Sequence, residues 1–289
     1  VQVGVVRELW RYPVKSMRGE RVDEAVVHAG IGIAGDRGWA VRDETVGEIR
    51  SAKRVPALLQ CAARYVTEPV GADTPTVAIT LPDGSEVRSD DPAVHKVLSD
   101  VLGRRVTLWP RVEANRTEHF LRRDVLDAEE VRRQYGLAGD EPLPAPAPAA
   151  PPRRSDLRRY VSPLGTYFDA DELHLLTTAT LDELRRRHPD AGVDVRRYRP
   201  NLVVDTAPAP PAGFPEFAWV GRRLCIGGLV VEVPRRTQRC VMITHAQGGL
   251  GTDRSVLRTL VLETGHTLGV AGDVVTPGTV RVGDPVELV

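Results

Sequence analysis

Cys240 is the residue in this chain whose surroundings best suit reactive chemistry. It lies in PRRTQRCVMIT, with Arg235, Arg236 and Arg239 just before it and an apolar run after it. Nearby cations stabilise a thiolate, the form of cysteine that binds metals and attacks electrophiles. The other two cysteines read differently. Cys61, in LLQCAARY, falls in an apolar run and suits a small core residue, and Cys225, in RRLCIGG, alternates with Leu224 and Ile226 as a buried strand residue would. No pair forms a C-x-x-C unit, which argues against a disulfide framework, a zinc ribbon and a thioredoxin-type site, and for a reducing, cytoplasmic setting.

Three basic segments could supply counter-charge to an anion. WRYPVKSMRG carries Lys15, Ser16 and Arg18, GIGIAGDRGW carries Asp36 and Arg37 between glycines, and RRYRPNLVVD carries Arg197, Arg199 and Asn201. Arginine suits bidentate phosphate contacts, and glycine permits tight turns and close backbone approach to a ligand. Each segment alone has the composition of a solvated basic turn. Together they make a phosphate-and-polar-ring site if the fold gathers them. His245, five residues past Cys240, could donate a proton to a leaving hydroxyl or amine; its bland alternative is an exposed turn histidine. Over all 289 residues, Lys plus Arg and Asp plus Glu both number 39, so no global field recruits nucleic acid or an anionic membrane. Neither G-x-G-x-x-G nor a Walker-type loop occurs.

The elements that must position these groups are mostly strands. Residues 3–10, 22–28, 38–42 and 76–81 are short, β-branched or alternating segments broken by Gly, Pro and Asp, and Pro82-Asp83-Gly84 turns the chain into a return strand at 85–88. Further strands are expected at 106–109, 173–176, 201–204, 223–226, 230–233, 240–244, 279–282 and 285–289. Helices are expected from Asp91-Pro92 to about residue 102, over 128–135 and 178–187, and over 255–264, the last capped by Asp253 and closed by Gly265. EPLPAPAPAAPPRR, residues 141–154, is too rich in Pro and Ala to build a core and reads as an exposed linker. The pattern gives a β-dominated α+β fold, with an N-terminal β-rich subdomain over 1–120, a helix and linker over 121–160, and a second domain over 161–289. No signal peptide is visible, and no apolar run nears the roughly 20 residues of a membrane helix.

Five segments in order resemble the MOSC family: YPVKS (Tyr12 to Ser16), GDRGW (Gly35 to Trp39), RYRPNLVVD (Arg197 to Asp205), RCVMIT (Arg239 to Thr244) and the ending GTVRVGDPVELV. They are similar to the branch with an N-terminal β-barrel subdomain, which includes the mitochondrial amidoxime-reducing component and bacterial relatives. The resemblance covers nearly the whole chain apart from the proline-rich stretch. It implies a MOSC β-barrel domain packed on that subdomain, with a pterin-based molybdenum cofactor in the cleft between them. It further implies Cys240 as metal ligand and Lys15, Ser16, Arg37, Arg199 and Asn201 as cofactor anchors. Thr237, Gln238 and Arg239 lead up to the ligand and would add polar contacts. Thr178, with Thr177, matches a hydroxyl-bearing family position at a helix start, where a plain N-cap is an equal reading.

The implied chemistry is coherent. Molybdenum takes soft sulfur donors, the pterin supplies a dithiolene, and one thiolate adds to that pair. The leading reading is an oxidoreductase that takes oxygen from N-hydroxylated or N-oxide compounds, with electrons from a separate partner because no Cys cluster suits an iron–sulfur centre. A second reading makes Cys240 a persulfide carrier in sulfur transfer. Pyridoxal phosphate enters there only at the level of the wider family, since no domain for it is visible in the chain. A third reading is a non-catalytic cofactor binder. The family often has an Asp-containing turn after the R-C segment, whereas here Thr244-His245-Ala246-Gln247-Gly248-Gly249 stands, which bears on substrate choice.

Overall fold

The computed structural model describes residues 1–124, 127–137, 139, 141, 159–206 and 213–289; residues 142–154 of the expected linker lie outside them. Alternation at period two builds the main core. Leu224 and Ile226, Leu229 and Val231, and Leu202 and Val204 point to one interior with Val6, Leu9, Val270 and Val286. Seven strands close around it: Leu173–Thr177, Leu202–Asp205, Gln2–Arg11, Pro285–Leu288, Arg223–Ile226, Leu229–Glu232 and Thr267–Thr276, the last pairing back to the first. Closure leaves few unpaired strand edges. Glu20–Val22 adds to the strand Gln2–Arg11, and Arg236–Gln238 adds to Thr267–Thr276.

The N-terminal half holds a second core. Two three-stranded sheets, Val106–Pro110 with Trp39–Asp43 and Glu48–Ile49, and Ala62–Tyr65 with Val77–Thr80 and Glu86–Arg88, enclose Val41, Cys61, Ile79, Leu98 and Leu108. The helix Val94–Leu102 lies on this core and ends at Gly103, whose φ of 64° suits glycine. The result is a mixed, β-rich α+β fold in which an N-terminal β-barrel subdomain packs against a second domain. The halves also share sheets. The first strand belongs to the ring otherwise built from residues 173–288, and Glu24–His28 pairs with Gly278–Arg281.

Helices Ala128–Tyr135, Thr178–Arg187 and Ser255–Thr264 have the bounds expected from sequence. The run after Cys240 does not. It was expected as a strand and is a 3-10 helix, Val241–Thr244, with Ile243 N–H donating to Cys240 O and His245 N–H to Met242 O. Packing overrides β-propensity here, because Met242 joins Ala52 and Leu59 on one side while Ile243 joins Leu257 and Leu260 on another. Among the described residues, no helix is long and apolar enough to cross a membrane.

Without residues 2–11, the strands Leu202–Asp205 and Pro285–Leu288 each lose a partner. A fragment of residues 161–289 alone is therefore expected to aggregate or stay unfolded. A dispersed amide NMR spectrum from a monomeric fragment is the outcome that contradicts this.

Candidate functional site

The strands Gln2–Arg11 and Leu202–Asp205 are antiparallel with Leu9 opposite Leu202, so the chain after the first and the chain before the second leave the same end. That brings Tyr12 to Arg18 beside Arg197 to Asn201. Asp36 joins them from the GDRG turn. Its carboxylate accepts from Tyr12 N–H (2.8 Å), from Asn201 Nδ2 (3.0 Å) and from the Arg37 guanidinium. Asn201 Nδ2 also donates to Trp10 O (3.3 Å), and its Oδ1 accepts from His174 N–H (3.1 Å). Its amide is thus committed to bracing the strands. Gly35, with φ of 78°, and Gly38 were expected to admit a ligand, but their close approach is to Tyr65: a Cβ on either would lie 2.6 or 2.4 Å from that side chain.

Tyr12 is a platform for two cations. The Arg199 guanidinium lies 4.1 Å and that of Arg37 4.7 Å from its ring centroid. Arg199 is buried and donates to Met17 O (2.6 Å). Burial, and then the like charge of Arg37, push its pKa down to about 10. Lys15 is 3 % exposed and donates through Nζ to Tyr167 O and to Asp169 Oδ1, both at 2.8 Å. Burial lowers its pKa, while Asp169 works the other way. Ser16 Oγ accepts from Ala52 N–H (2.9 Å), which fixes the segment bearing Lys53.

Cys240 is half-buried against Ala52, Leu59 and Met242. The Lys53 ammonium is held above its usual range, chiefly by its charge interaction with Cys240. Arg239 is buried, donates to Tyr198 O (2.7 Å) and has its own N–H bonded to His266 O (2.7 Å). Burial lowers its pKa, and Cys240 opposes that shift. Its Nε and the buried Thr237 Oγ1 have no hydrogen-bond partner among the described residues. Gln238 ends the short strand Arg236–Gln238 opposite Thr267.

Asp169 links the two groups of residues. Desolvation would raise its carboxyl, yet Lys15 and Lys53 overcome this and hold it far below the usual carboxylate range; Arg37 adds to them. Asp169 also bears on Arg199 and Arg239. Although protein crowds round it, 53 % of its side chain meets solvent. Sequence reading missed Asp169, Lys53 and Tyr135, the last being close enough to Lys53 and Cys240 to feel both charges. A signal existed for one of them: Lys53 is one of only three lysines in the chain.

One expected residue stands apart from this gathering. Thr178 donates to Asp205 Oδ1 (2.9 Å), at the far end of the strand that Asn201 precedes, and the helix N-cap is Thr177, which accepts from Thr180 N–H. His245 is half-buried rather than an exposed turn residue, burial lowers its pKa, and its Nε2 has no partner among the described residues. Cys61 is a core thiol, with its pKa pushed up to about 11 by burial.

Backbone geometry singles out the same place. Among the described residues only Ser16, Arg37, Arg199 and His266 combine a side chain with positive φ, at 66°, 48°, 53° and 66°. Three are expected anchors, and the fourth holds Arg239. Such conformations cost on the order of 1 kcal/mol each and collect where function over-determines the backbone.

Two domain-family profiles match this chain. The MOSC N-terminal beta barrel domain profile matches residues 3–119, and the MOSC domain profile matches residues 165–287. The chain belongs to the MOSC family and has its two-domain architecture. It is homologous to the mitochondrial amidoxime-reducing components. It is 26 % identical over 306 residues to mitochondrial amidoxime-reducing component 1 of Homo sapiens, and 25 % identical over 316 residues to component 2 of Rattus norvegicus, covering 99 % of this chain and 83 % of the relative in each case. The crystal structure of the YUAD protein from Bacillus subtilis aligns over 99 % of this chain and 94 % of its own, with a TM-score of 0.45 and 12 % identity.

Two buried histidines brace the site. His174 has its pKa lowered to about 3 by burial and then by Arg239. His119, at 2.8 Å from the Tyr167 hydroxyl, is lowered to about 4 by burial and then by Arg42. Both stay neutral in the folded chain, while the unfolded chain protonates them below about pH 6.5. Acidification therefore favours unfolding, and stability should fall from pH 6.5 toward 4 by about 1.4 kcal/mol per pH unit for each histidine. Urea titrations across this range check it, with His119→Phe expected to lower the slope by about 1.4 kcal/mol per pH unit. An unchanged slope in that variant contradicts the assignment.

Proposed function

We propose that this chain is a molybdenum-cofactor-dependent oxidoreductase that reduces N-hydroxylated or N-oxide compounds, with Cys240 as the one protein ligand to the metal. The observation that carries the reading is a surplus of cations around Cys240. Lys15, Lys53, Arg37, Arg199 and Arg239 gather with the carboxylates Asp36 and Asp169. That imbalance suits a ligand bearing a phosphate, and the free Arg239 Nε and Thr237 Oγ1 suit a polar ring system. Among the described residues no three His, Cys, Asp or Glu side chains gather as a metal cage, so the other soft donors would come from the group itself. The name of the relatives, amidoxime-reducing component, points to the same substrate class.

Lys15, Ser16, Arg37, Arg199 and Arg239 would hold the group, with Thr237 and Gln238 on the segment leading to Cys240. When bound, the group supplies two-electron redox chemistry next to the Cys240 sulfur. The chain's own residues do the rest. Asn201 and Asp36 keep the anchoring strands in register, and Tyr12 holds Arg37 and Arg199 in place. The net reaction consumes two electrons and two protons, converting N–OH to N–H and water. His245, kept neutral by burial, is the candidate proton carrier at Nε2. The electrons come from a separate partner.

Protein from a host that makes the cofactor should contain about one molybdenum per chain by elemental analysis, and Cys240→Ala should lose it while keeping the wild-type circular dichroism spectrum. Metal-free wild-type protein from such a host would falsify the proposal. A persulfide adduct on Cys240 after treatment with a desulfurase and cysteine, in protein without molybdenum, would favour sulfur transfer instead.

A further inference from the structure

Arg197 shares a basic run with Arg199, yet its bonding differs. It is 2 % exposed, and its guanidinium donates only to main-chain carbonyls: Nε to Gly192 O (3.0 Å), Nη1 to Ile243 O and His245 O (both 3.1 Å), and Nη2 to Gly251 O (2.7 Å). Three of the four acceptors lie in the segment that follows Cys240. A planar fork can hold several carbonyls at fixed directions, which a lysine ammonium cannot do.

The remaining carbonyls of that segment are occupied as well. Gln60 Nε2 donates to Ala246 O (2.6 Å) and Arg196 to Gly248 O (3.1 Å). Every carbonyl from Cys240 to Gly251 except that of Gly249 accepts a hydrogen bond. The donors are left over. Among the described residues, the N–H groups of Ala246, Gly248, Gly249 and Gly251 have no acceptor, and Gln247 and His245 each bury an unpartnered Nε2. Gln247 is itself only 2 % exposed. The Arg18 guanidinium, whose Nε also lacks a partner, lies so near Gly248 that a Cβ there would meet its Nη1 at 2.9 Å. No Asp or Glu occurs between Cys240 and Thr252.

We infer that Arg197 is a positioning residue that clamps the segment after Cys240 into a fixed wall whose unused groups are donors, and that the favoured substrates are N-hydroxylated compounds carrying a further anionic oxygen group such as a carboxylate. This rests on the N–O-reducing activity proposed above and specifies its substrate class. Ala246 and Gly248 are half-buried and Gly249 and Gly251 exposed, so their N–H groups remain open to a ligand, and an anionic oxygen is the partner suited to a run of donors beside the Arg18 guanidinium with no carboxylate on the segment.

The test compares two aryl amidoximes, identical except for a para carboxylate, on the molybdenum-loaded enzyme with a chemical electron donor. Wild type should show about a tenfold lower KM for the carboxylate compound, and Arg197→Lys should shrink that preference to about twofold while keeping its molybdenum. Hydrogen exchange of residues 241–251 should quicken in the variant. Should Arg197→Lys fail to fold, Gln60→Ala, which frees only Ala246 O, should quicken exchange in the same residues. Equal KM values in wild type overturn the donor wall and leave N–O reduction standing. Loss of molybdenum in step with activity makes Arg197 a cofactor anchor and overturns the positioning role. If neither compound is reduced, the proposed activity fails, and unchanged exchange in both variants still overturns the clamp.

Discussion

A buried carboxylate must be paired, and Asp36, at 1 % exposure, satisfies that demand with its neighbour Arg37 and with groups from two distant parts of the chain. Its partners are the N–H of Tyr12, the guanidinium of Arg37 and the amide of Asn201. Removing any partner leaves charge or dipole uncompensated in the interior. One side chain thereby fixes how the end of the first strand, the GDRG turn and the start of Leu202–Asp205 meet. Lys15, Arg37 and Arg199 hang from those three segments, so their convergence follows from this single requirement.

Gathering so many cations is unfavourable by itself, and the chain counters the repulsion in different ways. Tyr12 gives Arg37 and Arg199 a shared aromatic face, and main-chain carbonyls of Met17, Tyr167 and Tyr198 accept from Arg199, Lys15 and Arg239. Asp169 supplies the one strongly felt negative charge on the solvent side. The residual imbalance, with the left-handed backbone at Ser16, Arg37 and Arg199, is what a site held ready for an anion would carry.

Much of this was legible in the sequence because it is local. The helix over 178–187 follows from an N-cap threonine and an apolar side, and the strands of the barrel from period-two alternation. The clustered cations Lys15, Arg37 and Arg199 stood out through short motifs. What was not legible depends on tertiary contacts. Val241–Thr244 is β-branched and apolar, as a strand would be, but two cores pull its side chains in different directions. Asp169 and Lys53 are single charged residues with no local pattern, and only their meeting gives them meaning. Arg197 and Asn201 look like their neighbour Arg199 in sequence, whereas in the fold they are spent on carbonyls and on strand register.

The two halves cannot be assigned separate tasks in building this site. Cys240 and Arg239 come from the C-terminal half, but Ala52 and Leu59 pack on Cys240, and Gln60 holds the carbonyl of Ala246. The first strand completes the ring made by residues 173–288, and the loop carrying Lys15 and Ser16 grows from its end. Barrel closure and assembly of the cationic cleft are thus coupled, since the same ten residues supply the last strand of one and the stem of the other. A mutation that loosens Gln2–Arg11 should therefore disturb the surroundings of Cys240 without touching any residue of the site, because the loop carrying Lys15 grows from that strand and its Ser16 fixes the segment bearing Lys53.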